Sequence, residues 1–350
     1  MSFDIALWVA QDGIINGAIY ALLALALLLV FSVTRVIFVP QGDFISYAGL
    51  TLAALQAGQV PGVVYMLVGG GLLAASFEIG AALRERERVR RRVLVALAGY
   101  VLVPCMIALV AWTAAPLKLD PLWQVLLVLA LLVPLGPIIY RVAFQPVAKA
   151  SVMVLFMASI ATHLVLQGLA LVFFGGEGVR ATPLSDSRFN LGVLQLSAQG
   201  ALVILASVAL MFALWLFMER SIYGQALRAT AFNRIGSRLV GIRPAFAGAI
   251  SLLLAAFIGT VSGILVAPIT TIYYDTGFLI GLKGFVAAIL GGMASFPLAV
   301  AGSLALGLME AFASFVSSQF KETIVFSIII PALVWLSLKH RHVNDEEDEA

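Results

Sequence analysis

Few residues in this chain have chemistry to offer, and most of those stand in apolar surroundings. Asp43 follows Pro40, Gln41 and Gly42 within the apolar run 36–57. A carboxylate inside a membrane-crossing run costs roughly 3 kcal/mol unless it pairs, caps a helix or faces water. Pro40 removes a backbone donor and Gly42 is a poor helix former, so the run should be kinked or discontinuous there. Two readings of Asp43 stand. It lines a polar path or a moving joint, or it caps the half-helix that follows by accepting backbone N–H bonds. A second broken stretch, 266–292, carries Pro268, Thr270, Thr271, Asp275, Gly277, Gly281 and Gly284. Half-helices ending within a bilayer are one way a transporter presents backbone dipoles to a solute, and a polar loop with a short re-entrant helix fits equally. Lys283, inside that stretch, needs a partner, water or room to snorkel. Asn16 and Tyr20 lie one turn apart on the first apolar run, as do His163 and Gln167 on 151–174; each pair suits a path or interhelical hydrogen bonding. The candidate path residues are therefore Asn16, Tyr20, Gln41, Gly42, Asp43, His163, Gln167 and Thr271.

Other chemistries are poorly supplied. The three histidines are His163, His340 and His342, and Cys105 is the single cysteine. No intrachain disulfide, CxxC pair or Cys/His metal set can be assembled from them, so no metal and no cofactor is expected. Metal or acid–base catalysis at a membrane surface needs clustered acids or histidines, and that constellation is missing.

The elements that must position these groups are membrane helices. The chain has 350 residues, of which 62% are hydrophobic and 11% charged, with a mean hydropathy of +1.07. Backbone groups in lipid must be satisfied internally, and the runs lack strand alternation, so the class is an all-α polytopic helix bundle. Candidate spans are 13–33, 36–57, 62–82, 93–114, 121–140, 151–174, 199–218, 245–267, 278–294, 298–318 and 322–338, or about 8–11 crossings if 36–57 and 278–294 dip and return. Gly13 with Gly17, and Gly259 with Gly263, have the GxxxG spacing of close helix contacts in lipid. If every span crosses and the N-terminus lies outside, sixteen of the 21 Lys and Arg fall on the inner side, which predicts an N-out, C-in chain.

The longest basic connector is 219–243, with Arg220, Arg228, Arg234, Arg238 and Arg243. Its small, apolar and basic residues predict two short packed helices with a break at Gly236. The run 84–92 reads as a stop-transfer cluster touching anionic lipid rather than nucleic acid. The connector 175–198 reads as an outside loop, and the acidic end within 339–350 as a charged cytoplasmic tail.

Several stretches together resemble the branched-chain amino acid ABC transporter permeases of the LivH type. They are NGAIYALLALALLLVFSVTRVIFVPQGDF (16–44), YRVAFQPVAKAS (140–151), HLVLQGLALVFFGGEG (163–178), YGQALRATAFNRIGSRLVGI (223–242) and GFLIGLKGFVAAILGGMASFPLAVAGSLALGLME (277–310). Phe38 stands where the family usually has asparagine, Ile235 where it has an acid and Gly236 where it has alanine. Residues 59–120 are longer and more basic than usual.

The resemblance implies an ABC importer permease, a single transmembrane domain over 1–350 that moves branched-chain or related amino acids across a bacterial inner membrane. The implied partners are a second related permease, two cytoplasmic ATPases, a periplasmic binding protein and a small-molecule substrate. The chain has no GxxxxGK[ST] run, so it brings no Walker site for ATP. The connector 219–243 would be the ATPase-docking loop. Gly224, Ala226 and Ala229 would allow close approach, Arg228 and Arg238 would meet carboxylates on the partner, and Asn233 and Gly241 complete the set. Urea, amides and aromatic solutes remain open as cargo. So does a stand-alone secondary transporter with Asp43, His163 or Lys283 as coupling groups.

Overall fold

A computed structural model describes residues 3–85, 89–183, 187–191, 194–291, 295–327, 330–331 and 334. Among the described residues, eight helices are long and apolar enough to cross a membrane, and Thr276–Leu290 is a shorter apolar helix. The chain divides into two compact units. Residues 292–294, most of 328–338 and the tail 339–350 lie outside the described residues. The last three residues of the expected span 278–294, most of the second half of 322–338 and the acidic tail therefore fall there too.

The larger unit comprises 29–184 and 213–279. It begins with the end of α1 (Phe3–Thr34), a 3-10 turn at Val39–Gln41 and the 14-residue α2 (Asp43–Gln56). Pro40 stands in that turn, so the break expected from sequence is present. At 1.5 Å per residue α2 is about 21 Å long, too short for a hydrocarbon core of about 30 Å. The segment 36–58 nevertheless runs alongside the whole of the helical run Pro121–Phe144. Phe38 packs edge-on against Phe144, ring centroids 5.8 Å apart, at one end of the helical run Pro121–Phe144. Gly58 lies against Lys118, beside the other end of that run. The residues before α2, which include the 3-10 turn, make up the missing length. Asp43 through Leu52 is buried without exception, so α2 is a helix wrapped on all sides by protein.

Its main neighbour is α12 (Pro244–Val266), where Gly259 and Gly263 admit Phe44, Ile45 and Ala48 of α2. A Cβ on Gly263 would come within 2.5 Å of the Ile45 carbonyl oxygen, so the GxxxG pair marks a real backbone approach. Around these two stand α3 (Val63–Glu85), the run α4 (Val89–Leu97) to α5 (Val103–Ala114), α6 (Pro121–Leu132), α7 (Leu135–Ile139) and α8 (Val152–Phe174). The helix α5 follows α4 through a π-helical turn at Ala98–Leu102.

The smaller unit comprises 1–28, 185–212 and 280–350. Gly13 and Gly17 of α1 seat Leu308 and Leu304 of α14 (Phe296–Val316), and Gly307 meets the Gly13–Gly17 backbone in return. Tyr20, Ala24, Val286, Ala287, Ala299 and Leu306 form its core with Val325 of α15 (Lys321–Ser327). The connector expected as a plain loop instead contains a hairpin, β1 (Arg188–Leu191) paired antiparallel with β2 (Leu194–Ser197). Its Phe-Asn-Leu and Leu-Gln-Leu alternation is strand-like but too short to register against the turn formers around it.

Candidate functional site

Two features could do work, a surface elbow and a buried junction, both in the larger unit. The elbow follows α9 (Ala198–Arg220). Ser221 caps α10 (Ile222–Phe232), its Oγ accepting the Gly224 N–H at 2.8 Å. Asn233 then ends α10 and caps α11 (Arg234–Leu239), its Oδ1 accepting from Ile235 and Gly236 at 3.0 and 2.8 Å. Two short helices were expected, but the break falls at Asn233 and not at Gly236. A side chain that satisfies two orphan N–H groups makes a sharper boundary than a glycine, whose cost within a helix is only about 1 kcal/mol. Gly241 closes α11 at φ +86°, and the Ile242 N–H reaches back to the Ser237 carbonyl at 2.9 Å.

The elbow's residues sort differently from the sequence expectation. Gly224 is buried against its own chain, and a Cβ there would sit 2.2 Å from the Phe217 carbonyl oxygen. Its smallness is used to fold α10 onto α9. Arg228 is paired at 2.8 and 3.3 Å with Glu219, so its first carboxylate is internal. Ala226 is half-buried, while Ala229, Asn233, Arg238 and Gly241 are exposed. What sequence reading missed is an apolar knuckle: Phe232 is 93% exposed, Leu239 85% and Ile235 76%. Three large apolar side chains displayed beside exposed arginines on two capped helices are what a protein partner would cover.

The buried junction joins the two broken stretches. The Gly42 carbonyl oxygen lies where a Cβ on Gly277 would be, 2.1 Å away. Ser46 Oγ accepts from the Gly277 N–H at 2.8 Å and donates to the Tyr273 carbonyl at 3.0 Å. Beside this seam, His163 Nδ1 is 2.9 Å from both Asp43 carboxylate oxygens, and the ring stacks on Phe278 at 4.3 Å between centroids. Asp43 therefore does not cap α2, whose N-cap, Gly42, has no side-chain bond. The acid is satisfied by a histidine 120 residues away, which no local rule could supply. Gln41 donates to the Ala255 carbonyl at 3.0 Å, and its Oε1 is buried without a partner. Gln41, Gly42, Asp43 and His163 are thus gathered at one place. Gln167 is half-buried one turn along α8, and Thr271 is exposed in the loop before α13 (Thr276–Leu290).

Asn16 and Tyr20 belong to the smaller unit. There the Tyr20 hydroxyl donates to Glu310, which also accepts from Lys283 at 2.6 Å, and Lys283 reaches Glu322 at 3.0 Å. Lys283 thus has the partner its position demanded. Glu310, an acid within the apolar run 298–318, was the available sequence signal for it. Among the described residues no group of three or more His, Cys, Asp or Glu could hold a metal ion.

Against known proteins, residues 9–338 match the family described as branched-chain amino acid transport system, permease component. The chain belongs to this permease family. It is 28% identical over 203 residues to the high-affinity branched-chain amino acid transport system permease protein LivH of Escherichia coli strain K12, and equally to that of Salmonella typhimurium. That alignment covers 56% of this chain and 66% of each relative. The corresponding protein BraD of Pseudomonas aeruginosa is 30% identical over 207 residues, 57% of this chain and 67% of its own. Among solved structures, PsaBC from Streptococcus pneumoniae in complex with Fab covers 94% of this chain and 89% of its own, at 13% identity and a TM-score of 0.36. Membership in the permease family, with eight apolar helices, makes this a multi-pass membrane protein of a transport system.

Proposed function

We propose that this chain is the membrane-spanning permease of an ATP-binding cassette importer, carrying branched-chain or related amino acids inward across a bacterial inner membrane. The observation that carries the reading is the capped elbow α10–α11. It pairs a rigid attachment to α9 and α12 with an exposed apolar and basic surface, inside a chain of the permease family. The elbow faces the cytoplasm, the N-terminus lies outside and the C-terminus inside, in keeping with the positive-inside distribution of arginines. Two ATPase subunits, a second permease and a periplasmic binding protein complete the assembly, and the whole chain acts as one permease domain.

ATP-driven movement of the ATPase subunits pushes on Phe232, Ile235, Leu239 and Arg238. Gly224 is packed too closely on α9 to absorb that motion locally, so the displacement passes into α9 and α12. Because α12 packs along α2, the seam at Gly42, Asp43, His163 and Gly277 is where a moving α12 would open or close the path. The residues serve translocation by position and polarity, and ATP hydrolysis belongs to the partners.

The test is co-purification of tagged ATPase with the chain and its Phe232→Asp/Leu239→Asp variant. The variant should insert normally and lose the ATPase. Retention at the unsubstituted level overturns the assignment. The double reversal Arg228→Glu/Arg238→Glu is a weaker probe, because it also places two carboxylates together at Glu219.

A further inference from the structure

We propose that the crevice beside Asp43, between α2, α3, α7 and α8, is a solute site that takes a primary ammonium group carried on a branched aliphatic chain. The inference rests on the permease reading and adds to it a chemical preference within this chain. Asp43 is buried, and among the described residues its carboxylate has a single donor, the His163 Nδ1–H, shared between the two oxygens at 2.9 Å. An ionised carboxylate offers about four acceptor positions. The crevice onto which Asp43 opens is too tight for a water molecule, so water cannot take the positions left over on that side.

The rest of the lining is apolar, with Phe44, Tyr47, Met66, Leu135, Ile139 and Leu166 among it. Tyr47 brings the one hydroxyl, which already donates to the Leu166 carbonyl at 2.7 Å. A metal ion is poorly served there, since it needs about six oxygen ligands and the crevice supplies one free carboxylate. An ammonium brings its own charge and three donors, and an aliphatic tail is matched by the surrounding side chains. Urea and acids without an amine lack the charge that complements Asp43. His163 is a positioning residue. Its ring stacks on Phe278, 4.3 Å between centroids, and it fixes the carboxylate without lining the crevice itself.

The crevice has a wall that can move. The short helix α7 lies between breaks: Pro134 and Pro137 each remove a backbone donor, and a π-helical turn follows at Tyr140–Phe144. Gly136 packs on α12, where a Cβ would sit 2.3 Å from the Leu252 carbonyl oxygen. Motion of α12 therefore draws on α7 and carries Leu135 and Ile139 with it, which widens the crevice. Met66, unbranched and partly exposed, adapts to the chain that enters. The elbow that moves α12 thereby also sets when the crevice accepts solute.

The experiment is saturation-transfer NMR of the purified full chain in a neutral detergent, with isoamylamine, leucine, isocaproate and urea as probes and empty micelles as the reference. Isoamylamine and leucine should receive at least threefold more saturation than isocaproate or urea. Asp43→Asn keeps the volume and should abolish that preference. Met66→Trp fills the crevice, leaves the Asp43–His163 pair alone and should do the same. His163→Gln still offers an N–H and should keep most of the preference, whereas His163→Leu should lose it; equal loss in the two overturns the positioning role. A preference unchanged in Asp43→Asn or Met66→Trp overturns the proposal, as does isocaproate binding as well as isoamylamine. Should the variants fail to fold, that last comparison in the unsubstituted chain decides alone. The same preparation is assayed for a co-purifying ATPase and for ATP-dependent uptake. Both present without an amine preference overturns the site and spares the permease reading; the preference present without them supports the site and overturns that reading.

Discussion

Replacing Lys283 by methionine should be among the most damaging single substitutions in the smaller unit. The Lys283 side chain is 7% exposed and that of Glu310 8%, and Lys283 holds both Glu310 and Glu322. Methionine fills the volume but leaves Glu310 buried with no cation. Removing one partner of a buried pair costs about 3–5 kcal/mol, most of it the stranded charge. At roughly 2 °C per kcal/mol for a chain of this size, unfolding should occur about 6–10 °C lower. The assay is thermal unfolding in detergent, followed by monodisperse elution of a fluorescent fusion. Two variants decide the cause. Lys283→Met/Glu310→Gln removes both charges and keeps an acceptor for the Tyr20 hydroxyl, so it should regain most of the loss. Arg228→Gln breaks an exposed pair with side chains 45% and 43% accessible, worth about 0–1 kcal/mol, and should shift unfolding by less than about 2 °C. Unchanged unfolding of Lys283→Met, or a double variant no better than the single, refutes the reasoning.

Other expectations follow from the same geometry. Gly224→Val should push α10 off α9 and reduce ATPase co-purification with insertion intact, because the new side chain meets the backbone at Phe217 and Met218; normal recovery of the ATPase would contradict it. Asn233→Ala removes the cap of α11 and should cost about 1 kcal/mol, read as faster limited proteolysis between α10 and α11. Gly277→Ala should force the seam at Gly42 apart and abolish uptake while the chain still reaches the membrane, measured as solute uptake against surface-labelled protein.

Much of the architecture could be read from local signals. Pro40 and Gly42 marked the first break because proline cannot donate and glycine resists helix, and the GxxxG pairs marked helix contacts because only glycine allows them. The segment 36–57 was a candidate span, but how it gains its length was not legible, since α2 is only about 21 Å long and is completed by residues whose partners, Phe144 and Ser159, lie more than 100 residues away. The partners of Asp43 and Lys283 are long-range for the same reason. Sequence showed that each charge required compensation but not by what. At the elbow, Gly224 and Arg228 were assigned to a partner because the resemblance implies a docking loop there; α9 lies beside them and engages both. The knuckle of Phe232, Ile235 and Leu239 was hidden among those arginines, because apolar residues in a membrane protein attract no notice until they prove to be exposed.

The most direct test of the account is solute uptake into proteoliposomes containing this chain with and without its ATPase partners, supplied with binding protein and a branched-chain amino acid. Uptake should require both the ATPases and ATP, and should disappear in Phe232→Asp/Leu239→Asp although the variant is present in the bilayer. Uptake by the chain alone on an ion gradient, or undiminished ATP-dependent uptake by the variant, would contradict it.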